Sequence, residues 1–398
     1  MRWTDLDVPA TAPPRVLIEL YRRSSQQGKE DPDFLISLGI ALRQVWDMAG
    51  AVEAFQRAEA LDPEGFHAFG ELADSLYMLE LDDDALTVIN RGHQKGFSNW
   101  NMEYIRASAL RRLKKHPQAK EALRNAVAMS TYAFAAAEDL LAYAAETQDG
   151  DVLLDACDAL PSTYKTSAPN IAYRAAAYSL LGRRDDACAL IDLDRQVVQV
   201  AFEPSRTFES LRAFNAILMD EIAANAVAYR EFPGNVPPDP AALRNNQLNV
   251  VAAKAYPALA AWLRVIIQKE LERYRADTSS HMFVYAPEAG YLYTRGYIHR
   301  HAEHNGLHMH SNAVLSGVYH VRVPDEAFNP NEHLGVLQLG LLPPALKNFV
   351  PCWRQHAIQP VPGIVTLFPS FVFHDFAPTR SEQPRVALGI DLRAAVPE

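Results

Sequence analysis

Two periodicities in the hydrophobic pattern divide this chain of 398 residues. Up to about residue 200, small and large apolar residues return at a fixed step that fits stacked pairs of helices. After Ser280, apolar and polar residues alternate in short runs, which is the pattern of strands with one buried face. We therefore predict an α+β protein of more than one domain, in which a helical solenoid precedes a β-domain.

The helical half is built from a repeated unit. Ala51, Ala85 and Ala119 stand 34 residues apart, and Ala187 follows after a further 68. Larger apolar residues keep the same step at Phe55, Ile89, Leu123, Cys157 and Ile191, as do small residues at Gly39, Ala73, Ala107 and Ala175. The segment LGIALRQVWDMAGAVEAFQRAEALDP resembles the tetratricopeptide repeat, which has this period. We predict about five units over residues 32–200, with the fourth degenerate, after an N-terminal extension at residues 1–31.

The predicted solenoid offers a surface for a partner. Each unit is expected to be two antiparallel helices, and stacked units form a concave face. We expect that face to hold a peptide or protein substrate. The alternative is that the repeats only dock onto the second half of the chain or form a homodimer.

Two amphipathic helices precede the alternating runs. They are predicted over FESLRAFNAILMDEIAAN and YPALAAWLRVIIQKELERYRA, with the proline-rich loop FPGNVPPDPAALRNNQ between them. The eight later runs are separated by Pro, Gly, Asn and Asp, and no helix-length crossover separates them. This favours a jelly-roll barrel, that is, a double-stranded β-helix, over a βαβ fold. The second domain is therefore expected over residues 201–398, with its helices at 201–280 and its barrel at 281–396.

Composition, net charge and sequence pattern argue against several classes of partner. The net charge of −10 argues against binding to the phosphates of nucleic acid. No run approaches the roughly 20 apolar residues of a membrane span, and the N-terminal residues lack the pattern of a secretory signal. Cys157, Cys188 and Cys352 lack metal-ligand spacing and suggest reduced thiols. We expect a cytoplasmic protein with neither a membrane nor a nucleic-acid partner.

The strongest candidate site consists of His308, His310, His374 and Arg385. In an extended strand His308 and His310 point to the same side, because side chains alternate. Two imidazoles on one face, with a third from a distant strand, leave open positions on a transition metal, as activation of a small molecule requires. Arg385 follows His374 by eleven positions and could fork onto a carboxylate beside the metal. The pattern indicates an oxygenase-type metal site.

A second histidine pair has the same spacing. His299 and His301, with His304 nearby, could also supply two imidazoles from one strand. The residues that follow this pair do not resemble the motif that follows the later pair. We therefore favour the later pair as the ligands.

The stretches HMHSNAVLSGVYHVRVP and PGIVTLFPSFVFHDFAPTRSEQPRVALGIDL resemble a bacterial family of 2-oxoglutarate- and Fe(II)-dependent oxygenases. Members often carry tetratricopeptide repeats ahead of the oxygenase domain. The resemblance covers roughly residues 200–396 and extends more remotely to aspartyl/asparaginyl β-hydroxylases. It implies that His308, His310 and His374 bind Fe(II), that Arg385 pairs with the distal carboxylate of 2-oxoglutarate, and that O2 is the co-reactant.

The chain departs from the family pattern at three positions. The common oxygenase triad has Asp or Glu where this sequence has His310. Ala387 stands two residues beyond the arginine, where many relatives have a hydroxyl group, and Ser316 or Tyr319 is expected to supply the missing hydrogen bond to the cosubstrate. Ser311 replaces the usual proline.

Three functions are compatible with these residues. The predicted one is a 2-oxoglutarate-dependent hydroxylase acting on a peptide or protein that the repeats hold. The second is a three-histidine cupin dioxygenase that does not use 2-oxoglutarate. The third is a non-catalytic repeat scaffold with a degenerate barrel. The order of the histidine pair, His374 and Arg385 favours the first.

Overall fold

The computed structural model describes residues 2–3, 18–19, 21, 23, 31–224, 227–228, 243–245, 254–276, 289–299, 306–328 and 334–394. These residues form two compact units. One lies within residues 7–140, and the other contains residues 2–3 together with the residues from 141 onward. The packing boundary lies inside the fourth repeat. The domain boundary at residues 200 and 201 stays a prediction.

Five helix pairs occupy the repeat region. Their bounds are α1 Pro32–Gln44 with α2 Met48–Leu61, α3 Phe69–Met78 with α4 Asp82–Gln94, α5 Trp100–Arg112 with α6 His116–Met129, α7 Phe134–Ala145 with α8 Gly150–Ala159, and α9 Ala168–Leu180 with α10 Arg184–Leu190. The repeated alanines Ala51, Ala85, Ala119 and Ala187 are all fully buried. The predicted tetratricopeptide-like solenoid is confirmed, and its degenerate fourth unit is still a helix pair.

Local chemistry sets where these helices begin and how closely they pack. Asp31 accepts a hydrogen bond from the Phe34 backbone N–H at 2.7 Å, and Asn99 accepts one from Met102 at 2.9 Å, so both act as N-caps. A Cβ atom at Gly39 would lie 2.6 Å from the Phe55 ring. The small residue at this repeat position therefore lets α1 and α2 approach closely.

The second compact unit contains two mainly antiparallel sheets. The strands are β1 Arg2–Trp3, β2 Val198–Ala201, β3 Val227–Ala228, β4 Leu243–Asn245, β5 Ala289–His299, β6 Leu315–Arg322, β7 Leu337–Leu341, β8 His356–Ile358, β9 Ile364–Pro369, β10 Phe373–Phe376 and β11 Arg385–Ala394. The larger sheet has the order β2-β9-β6-β11-β5-β4-β3, with β1 paired in parallel to β5, and the smaller has the order β10-β7-β8. The predicted jelly-roll class is confirmed by these two sheets.

Helices cover the outside of the larger sheet. The short helix α11 Leu193–Gln196 precedes β2, and α12 Leu211–Ala224 and α13 Ala255–Ala276 are the two predicted amphipathic helices. Tyr319 of β6 donates a hydrogen bond to the Asn215 side chain of α12 at 2.7 Å. None of the helices in the described ranges is long and apolar enough to cross a membrane.

The last repeat packs on the barrel within this same unit. The Tyr173 ring of α9 meets the Phe373 ring of β10 edge-on, with centroids 5.7 Å apart. The backbone N–H of Cys352 donates to the Ser179 hydroxyl of α9 at 2.8 Å. Helix α9 thus braces the strand that carries His374.

Three of the eight predicted β-runs need comment. HMFVYAP lies outside the described residues. GLHMH forms a single antiparallel bridge, between His308 and His374, and is not part of an extended strand. GIVTLFPSFVF divides at Ser370 into β9 and β10, which belong to different sheets. The turn there carries the chain from one sheet to the other.

Candidate metal centre

Backbone pairing brings the three predicted histidine ligands together. His308 and His374 exchange two backbone hydrogen bonds, with N–O distances of 3.0 and 2.9 Å. The backbone N–H of His310 donates to the Ser370 carbonyl oxygen at 3.1 Å. The segment before β6 is therefore bound along the turn and strand that lead to His374, although these residues are distant in sequence.

The imidazole rings converge on one point. The His308 ring centroid lies 4.3 Å from that of His374 and 5.2 Å from that of His310, and the His310 and His374 centroids are 5.1 Å apart. The two Nε2 atoms of His308 and His310 are 3.2 Å apart. Two nitrogens bound at right angles to one metal, each about 2.1 Å from it, would be about 3 Å apart. The three side chains are grouped so that one nitrogen of each could hold the same ion.

Hydrogen bonds at Nδ1 fix which nitrogen of each ring is free. Nδ1 of His308 lies 2.6 Å from the Gly306 carbonyl oxygen, and Nδ1 of His374 lies 2.9 Å from that of Val372. Nδ1 of His310 contacts the Asp391 carboxylate. Because carbonyl and carboxylate oxygens only accept, each Nδ1 must donate its proton. All three rings then present an unprotonated Nε2, which is the form that binds a metal.

Asp391 is a site residue that the sequence argument missed. It is buried on β11 directly opposite Ser316 of β6, and the Ser316 hydroxyl donates to its Oδ1 at 2.8 Å. Burial by itself raises the pKa of Asp391, but His310, Arg393 and Ser316 together hold it well below its usual range. The carboxylate is therefore ionised and lies behind His310 instead of beside it. A lone Asp in the apolar run RVALGIDL was the only signal in the sequence.

Electrostatics keep His374 neutral. The side chain is buried, and burial together with His308 and His310 lowers its pKa well below the ordinary value. A neutral imidazole does not have to lose a proton before it binds a cation. His374 is thus prepared as a ligand at neutral pH.

Arg385 lies in the same cavity with spare hydrogen-bonding capacity. Its guanidinium donates to Nδ1 of His299 at 2.9 Å and lies over the Phe376 ring at 4.0 Å. Its Nη1 is buried and has no hydrogen-bond partner among the described residues. Burial lowers the pKa of Arg385 to about 10, partly opposed by Asp375, so the group remains cationic at neutral pH.

A single cavity joins the imidazoles to the guanidinium. It is lined by His308, His310, His374 and Arg385, with further walls from Tyr297, His299, Gly317, Val318, Phe368, Phe376, Ala387 and Gly389. The four predicted ligand-binding side chains therefore do meet. Because most of the other walls are apolar, the imidazoles and the guanidinium supply most of the polar recognition in the cavity.

The two side chains predicted to replace the missing hydroxyl do not lie beside Arg385. Tyr319 is on the opposite face of β6 from Ser316, bonded to Asn215, and faces away from the cavity. Ser316 contacts His310, Asp391 and Ser370, so it supports the histidine and not a cosubstrate.

The rival histidine set does not form a second centre in the described residues. His299 accepts a hydrogen bond from Arg385 and stacks on Tyr297, with ring centroids 5.5 Å apart. His301 and His304 lie outside the described residues. His299 therefore belongs to the wall around Arg385.

Part of the chain matches a known protein family. Residues 296–391 match the model of a family described as "Putative 2OG-Fe(II) oxygenase". The resemblance predicted from the sequence is confirmed. The matched oxygenase domain spans all four predicted site residues as well as Asp391, and its family implies Fe(II), 2-oxoglutarate and O2. No curated protein matches the sequence.

Several solved structures are similar in part. One is a prolyl-4-hydroxylase from Pseudomonas putida, 17% identical, covering 52% of this chain and 96% of that chain, with a TM-score of 0.36. Another is YrrB, a TPR protein with an unusual peptide-binding site, 18% identical, covering 44% and 93%, with a TM-score of 0.35. A third is MamA, 21% identical, covering 40% and 87%, with a TM-score of 0.34.

The residues of the oxygenase domain fit the groups that its family implies. Imidazole nitrogens suit Fe(II) as ligands, and all three here point an unprotonated Nε2 at a common position. Nη1 of Arg385 lacks a hydrogen-bond partner among the described residues, although buried polar groups almost always have one. A carboxylate from the cosubstrate would supply that partner.

Proposed function

We propose that this chain is an Fe(II)- and 2-oxoglutarate-dependent dioxygenase that hydroxylates a side chain of a peptide or protein held by its repeats. The overall reaction converts substrate C–H, 2-oxoglutarate and O2 into substrate C–OH, succinate and CO2. One observation carries the proposal: three convergent imidazole nitrogens and a buried guanidinium with a free N–H line the same cavity.

Each proposed role follows from the position of the side chain. His308, His310 and His374 would hold the metal through Nε2, and the bound metal would supply the chemistry that activates O2. Arg385 would bind the distal carboxylate of 2-oxoglutarate and so fix which end of that molecule faces the histidines. The presence of the cationic group and the metal ligands in the lining of one cavity supports this orientation.

Aromatic side chains would keep water away from the reacting groups. The Phe368 ring lies edge-on to His374, with centroids 4.8 Å apart, and Phe376 lies under Arg385. Both line the cavity. A dry surrounding strengthens the attraction between Arg385 and a carboxylate, because the effective dielectric constant is lower than in water.

The first compact unit contains a groove suited to the proposed peptide. Its walls include Ile36 and Ile40 of α1, Gly70 and Glu71 of α3, and Met102 of α5, that is, the first helices of three successive repeats. Ile40 and Phe97 keep 40% and 37% of their surface exposed there. Apolar side chains beside polar ones are what an extended peptide requires, which supports a peptide or protein substrate. A homodimer remains a prediction.

Anaerobic spectroscopy tests the proposed chemistry. Adding Fe(II) and then 2-oxoglutarate to the whole chain should give the weak visible charge-transfer band of the chelated pair. Arg385→Ala should remove 2-oxoglutarate binding while metal binding survives. Arg354→Ala, at a residue whose side chain is 78% exposed in the same unit, is the matched control and should behave like wild type.

Two results would overturn the proposal. A protein that binds no Fe(II), Co(II) or Mn(II) would be a scaffold. A protein that consumes O2 with substrate alone, and that is indifferent to Arg385→Ala, would be a three-histidine dioxygenase that does not use 2-oxoglutarate.

A further inference from the structure

The position left without a hydroxyl group faces a histidine. Ala387 of β11 pairs directly with His320 of β6. Directly opposite residues in an antiparallel pair have neighbouring side chains on one face of the sheet. The small Ala387 side chain, which lines the cavity together with Arg385, therefore has the His320 imidazole as its neighbour on the next strand.

The imidazole ring of His320 has no hydrogen-bond partner among the described residues. Its side chain is 1% exposed, and both Nδ1 and Nε2 are buried and unsatisfied. Burying a polar group without a partner is costly, and native proteins rarely leave both nitrogens of a ring in that condition. The imidazole is thus set up for a partner that the folded chain does not itself provide.

The same small region contains a second unsatisfied donor. Nη1 of Arg385 is also buried without a partner in the described part of the chain. Arg385 lies over one face of Phe376, and the His320 ring meets Phe376 edge-on, with centroids 6.1 Å apart. On the other side, Nδ1 of His299 accepts a hydrogen bond from Arg385 and holds the guanidinium in place. Two unpaired donors near one aromatic ring match the two oxygens of a carboxylate.

We propose that His320 is a specificity-determining residue, which donates a hydrogen bond to the distal carboxylate of 2-oxoglutarate beside Arg385, in place of the hydroxyl absent at Ala387. The inference rests on the proposed function, because it assigns a residue to the cosubstrate of that reaction. Burial and the nearby Arg385 lower the pKa of His320 to about 3, so the ring is neutral and carries one N–H to donate.

Replacing the imidazole with an apolar side chain tests this role. In His320→Leu, the dissociation constant of 2-oxoglutarate for the Mn(II)-loaded full-length protein should rise by about 10- to 100-fold, as expected for loss of a hydrogen bond to a charged group. Affinity for Mn(II) alone should not change, because the three ligands are intact. Isothermal titration calorimetry under anaerobic conditions measures both.

Pyruvate separates a specific contact from a general structural effect. It has the 2-oxo acid end of 2-oxoglutarate but lacks the distal carboxylate. Pyruvate affinity should therefore be the same in wild type and in His320→Leu, so the variant loses only the preference for 2-oxoglutarate. The double variant His320→Leu/Ala387→Ser should recover part of that preference, since a hydroxyl returns to the position beside Arg385.

The outcomes distinguish this inference from the proposed function. If wild type binds Mn(II) but no 2-oxoglutarate, the proposed function fails. If wild type binds 2-oxoglutarate and His320→Leu binds it equally well, the inference fails while the proposed function stands. Equal weakening of pyruvate and 2-oxoglutarate would also overturn it. His320→Phe provides a second apolar replacement should the leucine variant not fold.

Discussion

Removing the Asp391 carboxylate should weaken metal binding although Asp391 does not touch the proposed metal position. In Asp391→Ala, Nδ1 of His310 loses its anionic acceptor, and the Ser316 hydroxyl loses the same partner. The His310 ring is then free to rotate or to carry its proton on Nε2, which cannot bind a metal. Loss of a partner behind a ligand histidine typically costs 10- to 100-fold in metal affinity, or about 1.4 to 2.7 kcal/mol.

The conservative variant should fall between wild type and alanine. Asp391→Asn keeps the shape and one oxygen acceptor but loses the negative charge. Its amide can also donate to Nδ1, which would place the His310 proton on Nε2. Asp325→Asn, at an exposed residue of the same unit, is the control and should bind metal like wild type.

Anaerobic titration with Co(II) measures the affinity directly, because cobalt bound by imidazoles has visible bands. The metal-induced rise in melting temperature is a second readout. It should be about 3 to 10 °C smaller in Asp391→Ala than in wild type at the same metal concentration. Comparing each variant with and without metal removes any effect on the metal-free fold. A folded Asp391→Ala protein with wild-type cobalt affinity would refute the role of this carboxylate.

Three further predictions concern stability and the unused tyrosine. The pKa of His320 falls from its ordinary 6.5 to about 3 in the folded chain, so only the unfolded chain takes up this proton between those values. From pH 7 to pH 5 this residue should contribute about 2 kcal/mol to the drop in the free energy of unfolding without metal, in addition to the contribution of His374, whose pKa is also lowered. His320→Leu should remove the His320 part of the slope in urea titrations. Gly39→Ala should destabilise the first compact unit by about 1 to 3 kcal/mol, because its Cβ would lie 2.6 Å from the Phe55 ring, and Phe55→Leu in the same chain should recover part of this loss in urea unfolding. Tyr319→Phe should cost about 1 kcal/mol of stability through its bond to Asn215 and should leave calorimetric 2-oxoglutarate affinity unchanged; weaker cosubstrate binding would place this side chain back at the cavity.

Local periodicity predicted the parts of the site that depend on one segment. The 34-residue step located the buried alanines, and alternation put His308 and His310 on one side. Alternation also bears on the prediction for the missing hydroxyl, since Ser316 and Tyr319 are three positions apart on one strand and must point to opposite faces. Only one of them could have reached the cavity.

Cross-strand register accounts for what the sequence argument missed. Asp391 faces Ser316, and His320 faces Ala387, only because β6 and β11 pair as they do, with an irregularity after Val386. A single sequence contains the strands but not the alignment of one strand with another. The partner of His310 and the side chain beside Ala387 therefore could not be deduced from spacing.

The charges around the cavity explain how three neutral ligands can serve in place of two imidazoles and one carboxylate. Asp391 is ionised and contacts His310, so the carboxylate that is absent from the metal position is kept one side chain behind it. The charges of the neighbouring side chains balance, because Asp391 contacts Arg393 and Asp375 acts on the buried Arg385. A divalent metal then leaves two positive charges in a poorly solvated cavity, and a dicarboxylate such as 2-oxoglutarate would neutralise them. With a carboxylate ligand as well, the same dianion would leave one negative charge in excess. The all-histidine ligand set, the carboxylate behind it and a doubly charged cosubstrate are therefore electrostatically consistent with one another.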